Sequence, residues 1–448
     1  MIIDGEHYPP VVQSALEELT RTGHEVLGAV MAGGKEKLPA SGAAAYGDVE
    51  LIAEEDPRSG LWEALDRWDA ESVLDLSDEP VLDYRRRFEL ISVALKKGVR
   101  YQGSDFALDP PDLPALATKP TLRIIGTGKR TGKTAVAGSI ARSLNAEGVR
   151  PVVLAMGRGG PEEPEVLHGD EVDLTPQDLL ELAEAGKHAA SDYVEDALLS
   201  RVTTIGCRRC GGGLAGAVGT SNVARGIEIA NDVQADLLFL EGSGAAIPPA
   251  RADATVLIMP ASLPLHYLDG YLGLYRLLLA DLVVVTMSEE PFGSPSQISS
   301  LVSHIRSAWR EPQEGEGAET RVVRTVFRPQ PTRSVEGASV FVATTAPEVA
   351  GENIRRHLEA EHGCKVTGIS HALSDRARLE EDLKRMGGSA DVLLCEIKAA
   401  AIDVATKRAL ENDMDVVYMD NVPVGIDGDD PHEEFLMIGK RAIERFSG

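Results

Sequence analysis

The sequence predicts an α/β protein: a central domain with a parallel-sheet core, flanked by N-terminal and C-terminal α/β domains. Two observations support this prediction. Short apolar runs of strand length alternate along the chain with amphipathic helical patterns, the order expected for parallel strands joined by helices. Proline-bearing segments at 109–114 and 328–331 interrupt that alternation. The predicted domains are therefore residues 1–115, 116–333 and 334–448.

The predicted elements of the two flanking domains follow the same alternation. In the first domain the strands are 2–3, 25–30, 49–52 and 72–76, and the helices are 11–19, 61–68 and 84–97. In the last domain the strands are 339–344, 365–369, 392–395 and 416–419, and the helices are 348–361, 375–386 and 400–412. Between them, residues 311–317 are polar and rich in glycine, which predicts a flexible surface loop.

The charge balance restricts the partners of the chain. Its 448 residues contain 45 Lys and Arg against 71 Asp and Glu, a formal net charge of −26. Such an excess leaves no broad electropositive face, so we expect neither a nucleic-acid partner nor an anionic membrane surface. The longest apolar stretch is broken by Asp269, Arg276 and Asp281, which opposes a membrane span. With no secretory signal visible and only four cysteines, we expect a cytoplasmic protein.

A glycine-rich segment between a short strand and a helix is the strongest chemical signal. The strand is predicted at 122–125 and the helix at 135–145, and the loop between them reads Gly126, Thr127, Gly128, Lys129, Arg130, Thr131, Gly132, Lys133 and Thr134. Backbone N–H groups of such a loop cradle phosphate oxygens at the helix N-terminus. Lys133 is expected to reach the β- and γ-phosphates, and Thr134 to ligate Mg²⁺. The usual spacing would place a glycine at position 127.

This loop resembles that of the dethiobiotin-synthetase-like branch of P-loop proteins. A second match is the apolar strand that ends in Glu241, Gly242, Ser243 and Gly244. The resemblance implies a P-loop NTPase core and a homodimer. A carboxylate at the tip of the neighbouring strand lies where the metal needs an oxygen ligand, so Glu241 is a candidate for Mg²⁺. The alternative is a carboxylate that merely enters a loop.

Several basic residues are candidate anion contacts in this acidic chain. Arg208 and Arg209 precede three glycines, and Arg158 follows a predicted strand, beyond whose carboxyl end ligands bind in open parallel sheets. Lys187 precedes a helix, and Lys398 follows another strand. Each could instead be a solvated surface residue. Cys207 and Cys210 flank the arginine pair and leave three readings open: zinc ligands, a redox dithiol, or packed thiols that shape the loop.

Taken together, these motifs resemble the cyclic 2,3-diphosphoglycerate synthetase family along essentially the whole chain. The matching segments are 4–10, 126–134, 206–213, 241–244 and 396–403. The resemblance implies that ATP and 2,3-diphosphoglycerate give the cyclic anhydride, ADP and phosphate, with Mg²⁺ and K⁺ as the expected cations. Joining two phosphates that repel each other requires cationic screening. The candidate catalytic residues are Lys133, Arg158, Lys187, Arg208, Arg209 and Lys398.

Two other functions remain open from the sequence. One is a different ATP-dependent kinase or ligase that acts on a phosphoglycerate or a carboxylate. The other is a nucleotide-switch ATPase, in which a lysine five residues before the loop lysine is typical. Here that position is Gly128, and Lys129 is one residue away. The segment 286–289 follows a predicted strand, where a base-recognition motif would lie, but it lacks the Asn-Lys-x-Asp motif of guanine-nucleotide-binding proteins. ATP is therefore the expected nucleotide.

Overall fold

The computed structural model describes residues 1–34, 36, 46–47, 49–172, 174–185, 192–308, 321–386, 390–397 and 401–447. The predicted loop at 311–317 lies outside these residues. The chain divides into two compact units. Unit 1 contains residues 1–112, 263–280 and 300–320, and unit 2 contains residues 113–262, 281–299 and 321–448.

Short strands build unit 1 and longer ones build unit 2. The strands of unit 1 are β1 (Ile2–Ile3), β2 (Ala29–Met31), β3 (Leu51–Ile52), β4 (Ser72–Leu74), β5 (Arg100–Gln102) and β6 (Ala107–Leu108). The strands of unit 2 are β7 (Thr121–Gly126), β8 (Pro151–Gly157), β9 (Glu165–His168), β10 (Thr203–Cys210), β11 (Thr220–Ser221), β12 (Leu237–Glu241), β13 (Ala254–Pro260), β14 (Leu282–Thr286), β15 (Arg321–Pro331), β16 (Ser339–Ala343), β17 (Lys365–Ser370), β18 (Val392–Cys395) and β19 (Asp415–Gly425).

Helices connect most of these strands. They are α1 (Pro9–Arg21), α2 (Pro57–Arg67), α3 (Tyr84–Lys96), α4 (Lys133–Ala146), α5 (Pro176–Glu184), α6 (Asp192–Ser200), α7 (Val223–Asp232), α8 (His266–Asp269), α9 (Gly273–Leu279), α10 (Pro295–Ala308), α11 (Gly351–His362), α12 (Arg376–Met386), α13 (Lys407–Glu411) and α14 (Pro431–Ser447). A 3₁₀ turn, Glu348–Ala350, leads into α11, and a π-helical segment, Ala401–Thr406, leads into α13. The predicted helices at 348–361 and 400–412 therefore each begin with a turn of different pitch.

Unit 1 carries a parallel arrangement in the order β3-β2-β1, continued by β4 and β5 through a parallel bridge between Ile2 and Asp75. Asp4 follows β1 and is fully buried. Its Oδ2 accepts a hydrogen bond of 2.7 Å from the backbone N–H of Asp78, and its Oδ1 accepts one of 2.8 Å from His7 Nδ1. Asp4 therefore ties together two loops at the carboxyl ends of β1 and β4.

The sheet of unit 2 reverses direction once along its length. Its main path among the described residues is β11-β10-β8-β12-β7-β13-β14-β15-β19-β18-β16-β17. The strands from β10 and β8 through β14 to β15 pair in parallel. β15 then pairs antiparallel with β19, after which β19, β18, β16 and β17 are again parallel to one another. The two parallel parts of the sheet thus run in opposite directions.

The long strand β15 corrects one prediction from the sequence. Residues 328–331 were expected to form a proline-bearing connection, and this was wrong, because they extend β15 and pair with β19. The N–H of Thr332 donates to Tyr418 O of β19, so N–H groups at alternate positions point towards β19. The missing N–H groups of Pro329 and Pro331 fall on the opposite side, beyond the residues that pair with β14.

The C-terminal helix completes the core beside the glycine-rich loop. Phe435, Ile438 and Ala442 of α14 are buried in one cluster with apolar residues of β7 and α4. The predicted α/β class with a parallel-sheet core is confirmed by this arrangement. The division into three predicted domains remains a proposal, because the sheet of unit 2 passes without a break from the central stretch into the last one.

Phe435→Ala is expected to lower the free energy of unfolding by about 3–5 kcal/mol, because it removes a buried ring from that core. Phe446→Ala is the matched control on the same helix, where the ring is 44% exposed; its effect should stay within about 0.5 kcal/mol. Denaturation monitored by circular dichroism measures both. Equal effects would contradict the packing of α14 against α4.

Candidate functional site

The glycine-rich loop joins β7 to α4 in the middle of the unit 2 sheet, between the tips of β12 and β13. Two contacts anchor it to the neighbouring strands. The N–H of Thr127 donates to Ile258 O at 3.2 Å, and the hydroxyl of Thr286 donates to Thr131 O at 2.8 Å. The loop therefore has a fixed backbone at the carboxyl edge of a parallel sheet, which is where such sheets bind ligands.

Gly132 cannot be replaced without a clash. It precedes α4 with φ of +87°, a left-handed conformation that L-residues rarely adopt. A Cβ at this position would lie 2.1 Å from Cζ of Phe327, a side chain of β15. The ring of Phe327 thus contacts the loop at the first turn of α4. Sequence analysis did not identify Phe327, because its segment was expected to precede a connection.

Lys133 is an almost buried cation at the start of α4, with only 8% of its surface exposed. Its Nζ donates to Gly128 O at 2.7 Å. Burial lowers the pKa of Lys133 to about 8, while Glu241 and Asp192 oppose that shift and Arg158 and Arg209 add to it. A bound anion would favour the charged form. The lysine is therefore poised to gain from contact with phosphate oxygens.

Three carboxylates form a cluster next to Lys133. Glu241 ends β12, and Asp192 and Asp196 lie one turn apart on α6. Asp196 and Glu241 are both buried and interact through their side chains. Burial raises the pKa of both, and the neighbouring carboxylate raises that of Asp196 further. One proton shared between the two carboxyl groups explains how they lie side by side.

The same carboxylates fit a magnesium ion. Asp196 Oδ2 and Glu241 Oε2 are buried and receive no hydrogen bond from an amide, hydroxyl or basic group among the described residues. A side-chain hydrogen bond joins Thr134 to Glu241, so the two predicted metal ligands are adjacent. Hard oxygen donors of this kind suit Mg²⁺, which uses one or two carboxylates and takes its other ligands from phosphates and water. The described residues contain no cluster of three or more His, Cys, Asp or Glu with metal-site geometry.

The guanidinium groups of Arg158 and Arg209 both lie next to Gly244. A Cβ on Gly244 would lie 2.6 Å from Arg158 Nη2 and 3.5 Å from Arg209 Nη2. The backbone carbonyl of Ser243 accepts from Arg209 Nη2 at 2.7 Å, and that of Gly211 accepts from Nη1 at 2.8 Å. Arg209 is 9% exposed, and its Nε is buried with no partner in the described part of the chain. Burial and the charge of Arg158 both lower the pKa of Arg209.

Arg208 does not join this cluster. β10 extends through Cys210, and successive residues of a strand face opposite sides, so Arg208 points away from Arg209. Its side chain is 47% exposed and lies 3.6 Å from Glu162. Its backbone N–H donates to Asn222 Oδ1 at 2.7 Å. Lys187 and Lys398, the two remaining predicted cations, lie outside the described residues.

Cys207 and Cys210 also differ in their surroundings. Cys207 is buried, and a Cβ on Gly226 of α7 would lie 2.3 Å from its Sγ. Burial raises the pKa of the Cys207 thiol to about 12, which suits a packed thiol. Cys210 is exposed. Of the three readings from the sequence, packing fits Cys207 best.

Unit 1 contains a cavity of about 450 Å³ at the carboxyl edge of its own sheet. Its charged lining residues are Glu36, Glu54, Glu55, Asp56, Glu89, Arg58 and Arg86. Carboxylates outnumber arginines, and Arg58 is already paired with Asp56 at 3.1 Å. This lining disfavours an anionic ligand, in contrast to the cationic cluster of unit 2.

Comparison with known proteins identifies the family. Three family models match, and their descriptions are those of the N-terminal, P-loop and C-terminal domains of cyclic 2,3-diphosphoglycerate synthetase. They match residues 1–109, 121–313 and 331–422, respectively. The chain belongs to this family. Because its members are named as synthetases with a P-loop domain, it belongs to a family of enzymes, and the predicted P-loop core is confirmed.

Curated relatives with the name cyclic 2,3-diphosphoglycerate synthetase align over nearly their whole length. The relative from Rubrobacter xylanophilus is 48% identical over 95% of both chains. That from Methanothermobacter thermautotrophicus is 44% identical over 100% of this chain and 97% of its own. Among solved structures, LpxK from Aquifex aeolicus in complex with ATP aligns with a TM-score of 0.43 and 13% identity, over 80% of this chain and 96% of its own.

No described helix in this synthetase-family member has the length and apolar character needed to cross a membrane.

The sequence analysis missed two site residues in this family member, Asp192 and Asp196. A signal was present, because residues four apart on a helix share one face. Nothing in the sequence, however, shows that this face of α6 turns towards β12. Only the packed structure brings the two carboxylates to Glu241 and Lys133.

Asp196→Asn is expected to raise the melting temperature at pH 8. The raised pKa of Asp196 means that the folded protein holds a proton that the unfolded chain loses, so folding becomes less favourable as the pH rises. Asparagine does not titrate, so the difference from wild type should be largest at pH 8 and shrink towards pH 4. Thermal denaturation in metal-free buffer measures it.

Asp232→Asn, at the exposed end of α7, is the control and should change the melting temperature little at any pH. A lower melting temperature for Asp196→Asn than for wild type at pH 8 would contradict the shared proton.

Proposed function

We propose that this chain is an ATP-dependent ligase that closes 2,3-diphosphoglycerate into cyclic 2,3-diphosphoglycerate and releases ADP and phosphate. The observation that carries the proposal is the cluster of Lys133, Arg158 and Arg209 beside a phosphate-binding loop. Three cations converge there in a chain whose net charge is −26. Such local convergence suits a reaction in which several phosphate groups must approach one another.

The phosphate loop would hold the ATP triphosphate. Backbone N–H groups at the start of α4 and the ammonium group of Lys133 face the β- and γ-phosphates in loops of this kind. Thr134, Glu241 and Asp196 would hold Mg²⁺, which supplies charge neutralisation across the phosphate oxygens. A requirement for K⁺ remains an expectation from the family resemblance.

Arg158 and Arg209 would hold the substrate phosphates beside the γ-phosphate. In the first step, an oxygen of one substrate phosphate attacks the γ-phosphorus, and the bond to ADP breaks. In the second step, an oxygen of the other substrate phosphate attacks the phosphorus bound to the glycerate, the internal anhydride forms, and inorganic phosphate leaves. Both nucleophiles are already ionised, so neither step needs a general base.

Several features of the chain agree with this proposal. The carbonyls of Ser243 and Gly211 fix two nitrogens of Arg209, so its guanidinium is oriented before substrate binds. The buried Nε of Arg209 is a donor that an anionic ligand could satisfy. Cytoplasmic location and a homodimer remain predictions from the sequence and its resemblance.

Phosphorus NMR of the wild-type protein with Mg²⁺, γ-labelled ATP and 2,3-diphosphoglycerate tests the reaction type. We expect the two monoester resonances to be replaced by those of an internal anhydride, with equal amounts of ADP and labelled inorganic phosphate. Lys133→Ala is the control and should consume no ATP, because the loop then lacks its cation at the β- and γ-phosphates.

The other two functions give different products in the same experiment. A kinase would leave the label on an organic product and release no phosphate. A nucleotide switch would hydrolyse ATP slowly and leave 2,3-diphosphoglycerate unchanged. Either result would contradict the ligase proposal.

A further inference from the structure

The buried threonine that ends β14, Thr286, lies two strands away from the strand that leads into the phosphate loop. β13 separates β14 from β7 in the sheet, and Thr286 pairs with Pro260, the last residue of β13. The N–H of Ala261, which follows β13, donates to Thr286 O at 2.8 Å. Thr286 is 0% exposed. A hydroxyl in such a place requires a hydrogen-bond acceptor inside the protein.

The hydroxyl of Thr286 makes its closest contact with the phosphate loop. Its Oγ1 lies 2.8 Å from Thr131 O and 3.3 Å from Met259 O. A hydroxyl carries one proton, so it donates one strong hydrogen bond, and the shorter distance selects Thr131 O. The side chain thus reaches past the end of β13 and holds a backbone carbonyl of the loop.

The loop needs support at this point because its backbone is strained. The residues on either side of Thr131 are both left-handed, since Arg130 has φ of +59° and Gly132 has φ of +87°. For an arginine this conformation brings Cβ too close to a backbone carbonyl oxygen. Strained conformations persist where the surrounding structure fixes them, and they cluster at ligand-binding sites. Here the hydrogen bond from Thr286 and the contact of Phe327 with Gly132 fix the turn from β14 and β15.

The turn that Thr286 holds also guides the side chain of Lys133. Thr131 Oγ1 lies 3.4 Å from Lys133 Nζ. A Cβ on Gly126 would lie 2.9 Å from Thr131 Oγ1 and 2.9 Å from Lys133 Cδ, so both side chains pack over this glycine. Thr131 is 3% exposed, and a packed side chain of this kind transmits a displacement to its neighbours. A shift of the Thr131 backbone would therefore reach Lys133.

The end of β14 is itself firmly held. Met287, the residue after Thr286, has φ of +55°, so the chain turns sharply where the strand ends. The N–H of Ser288 donates to Thr325 O of β15 at 2.9 Å, and the hydroxyl of Ser288 donates to Val285 O at 2.9 Å. Hydrogen bonds to both strands thus give Thr286 a fixed position from which to hold the loop.

We propose that Thr286 is a positioning residue for the phosphate loop, whose hydroxyl holds the turn from Thr131 to Lys133 in the form that binds the β- and γ-phosphates of the nucleotide. Thr286 acts through Thr131 and does not itself touch the nucleotide. The inference rests on the proposed function for the reaction, but its effect on nucleotide binding is measured without turnover.

Three substitutions separate this role from a general loss of stability. Thr286→Val keeps the shape of the side chain but replaces the hydroxyl by a methyl group, which cannot donate to Thr131 O. Thr286→Ser keeps the donor and loses the methyl group. Thr204→Val is the matched control in β10, because Thr204 is also 0% exposed and its hydroxyl donates to a backbone carbonyl, Val202 O, at 3.2 Å. Calorimetric titration with ADP, steady-state kinetics and thermal denaturation are measured for each variant.

We expect Thr286→Val to weaken ADP binding about 3- to 10-fold, because one hydrogen bond that orders the loop is lost. The value of kcat/KM for ATP should fall by a similar factor, while the KM for 2,3-diphosphoglycerate stays within about twofold. Thr286→Ser should restore ADP binding to within about twofold of wild type, because the donor is retained. Thr204→Val should bind ADP as wild type does, even where its melting temperature falls as far as that of Thr286→Val.

ADP binding of Thr286→Val at the wild-type level would overturn the inference. Equal weakening by Thr204→Val, or a failure of Thr286→Ser to restore binding, would also overturn it, because the loss would then follow packing rather than the hydroxyl. A wild type that binds ADP with this dependence on Thr286 but forms no cyclic product would overturn the proposed function alone.

Discussion

The burial of Lys133 among charged neighbours is the constraint on which the site depends. A lysine that is 8% exposed keeps its proton only if negative groups compensate the loss of water, and Glu241 and Asp192 provide that compensation. The positive charges of Arg158 and Arg209 have the opposite effect, because they lower the pKa of Lys133. The cluster is therefore balanced between cations and carboxylates, and an added polyphosphate shifts the balance towards the charged lysine.

The fold satisfies this constraint by bringing five elements to one sheet edge. The first turn of α4 supplies Lys133, β12 supplies Glu241, α6 supplies two carboxylates, and the ends of β8 and β10 supply the arginines. The long strands β15 and β19 then reverse the sheet, so a second carboxyl edge faces the first.

Sequence patterns predict the local parts of this structure well. The loop from Gly126 to Thr134 can be located because strand, glycines and helix are contiguous, and Glu241 because it ends an apolar run. The separate environments of Arg208 and Arg209 could not be predicted, since they depend on how far β10 continues. The pairing of Pro329 and Pro331 within β15 depends on a distant strand, β19. Contacts between segments far apart in the chain are the part that local patterns do not contain.

The measurement that tests the central claim most directly compares Arg209→Ala with Arg208→Ala in steady-state kinetics. If the buried cluster binds the bisphosphate, Arg209→Ala raises the KM for 2,3-diphosphoglycerate about 10- to 150-fold, the equivalent of roughly 1.5–3 kcal/mol for a charge-assisted contact, and changes the KM for ATP much less. Arg208→Ala, at the exposed neighbour, leaves both values near those of wild type. Equal effects of the two variants, or a larger effect of Arg208→Ala, would contradict the account.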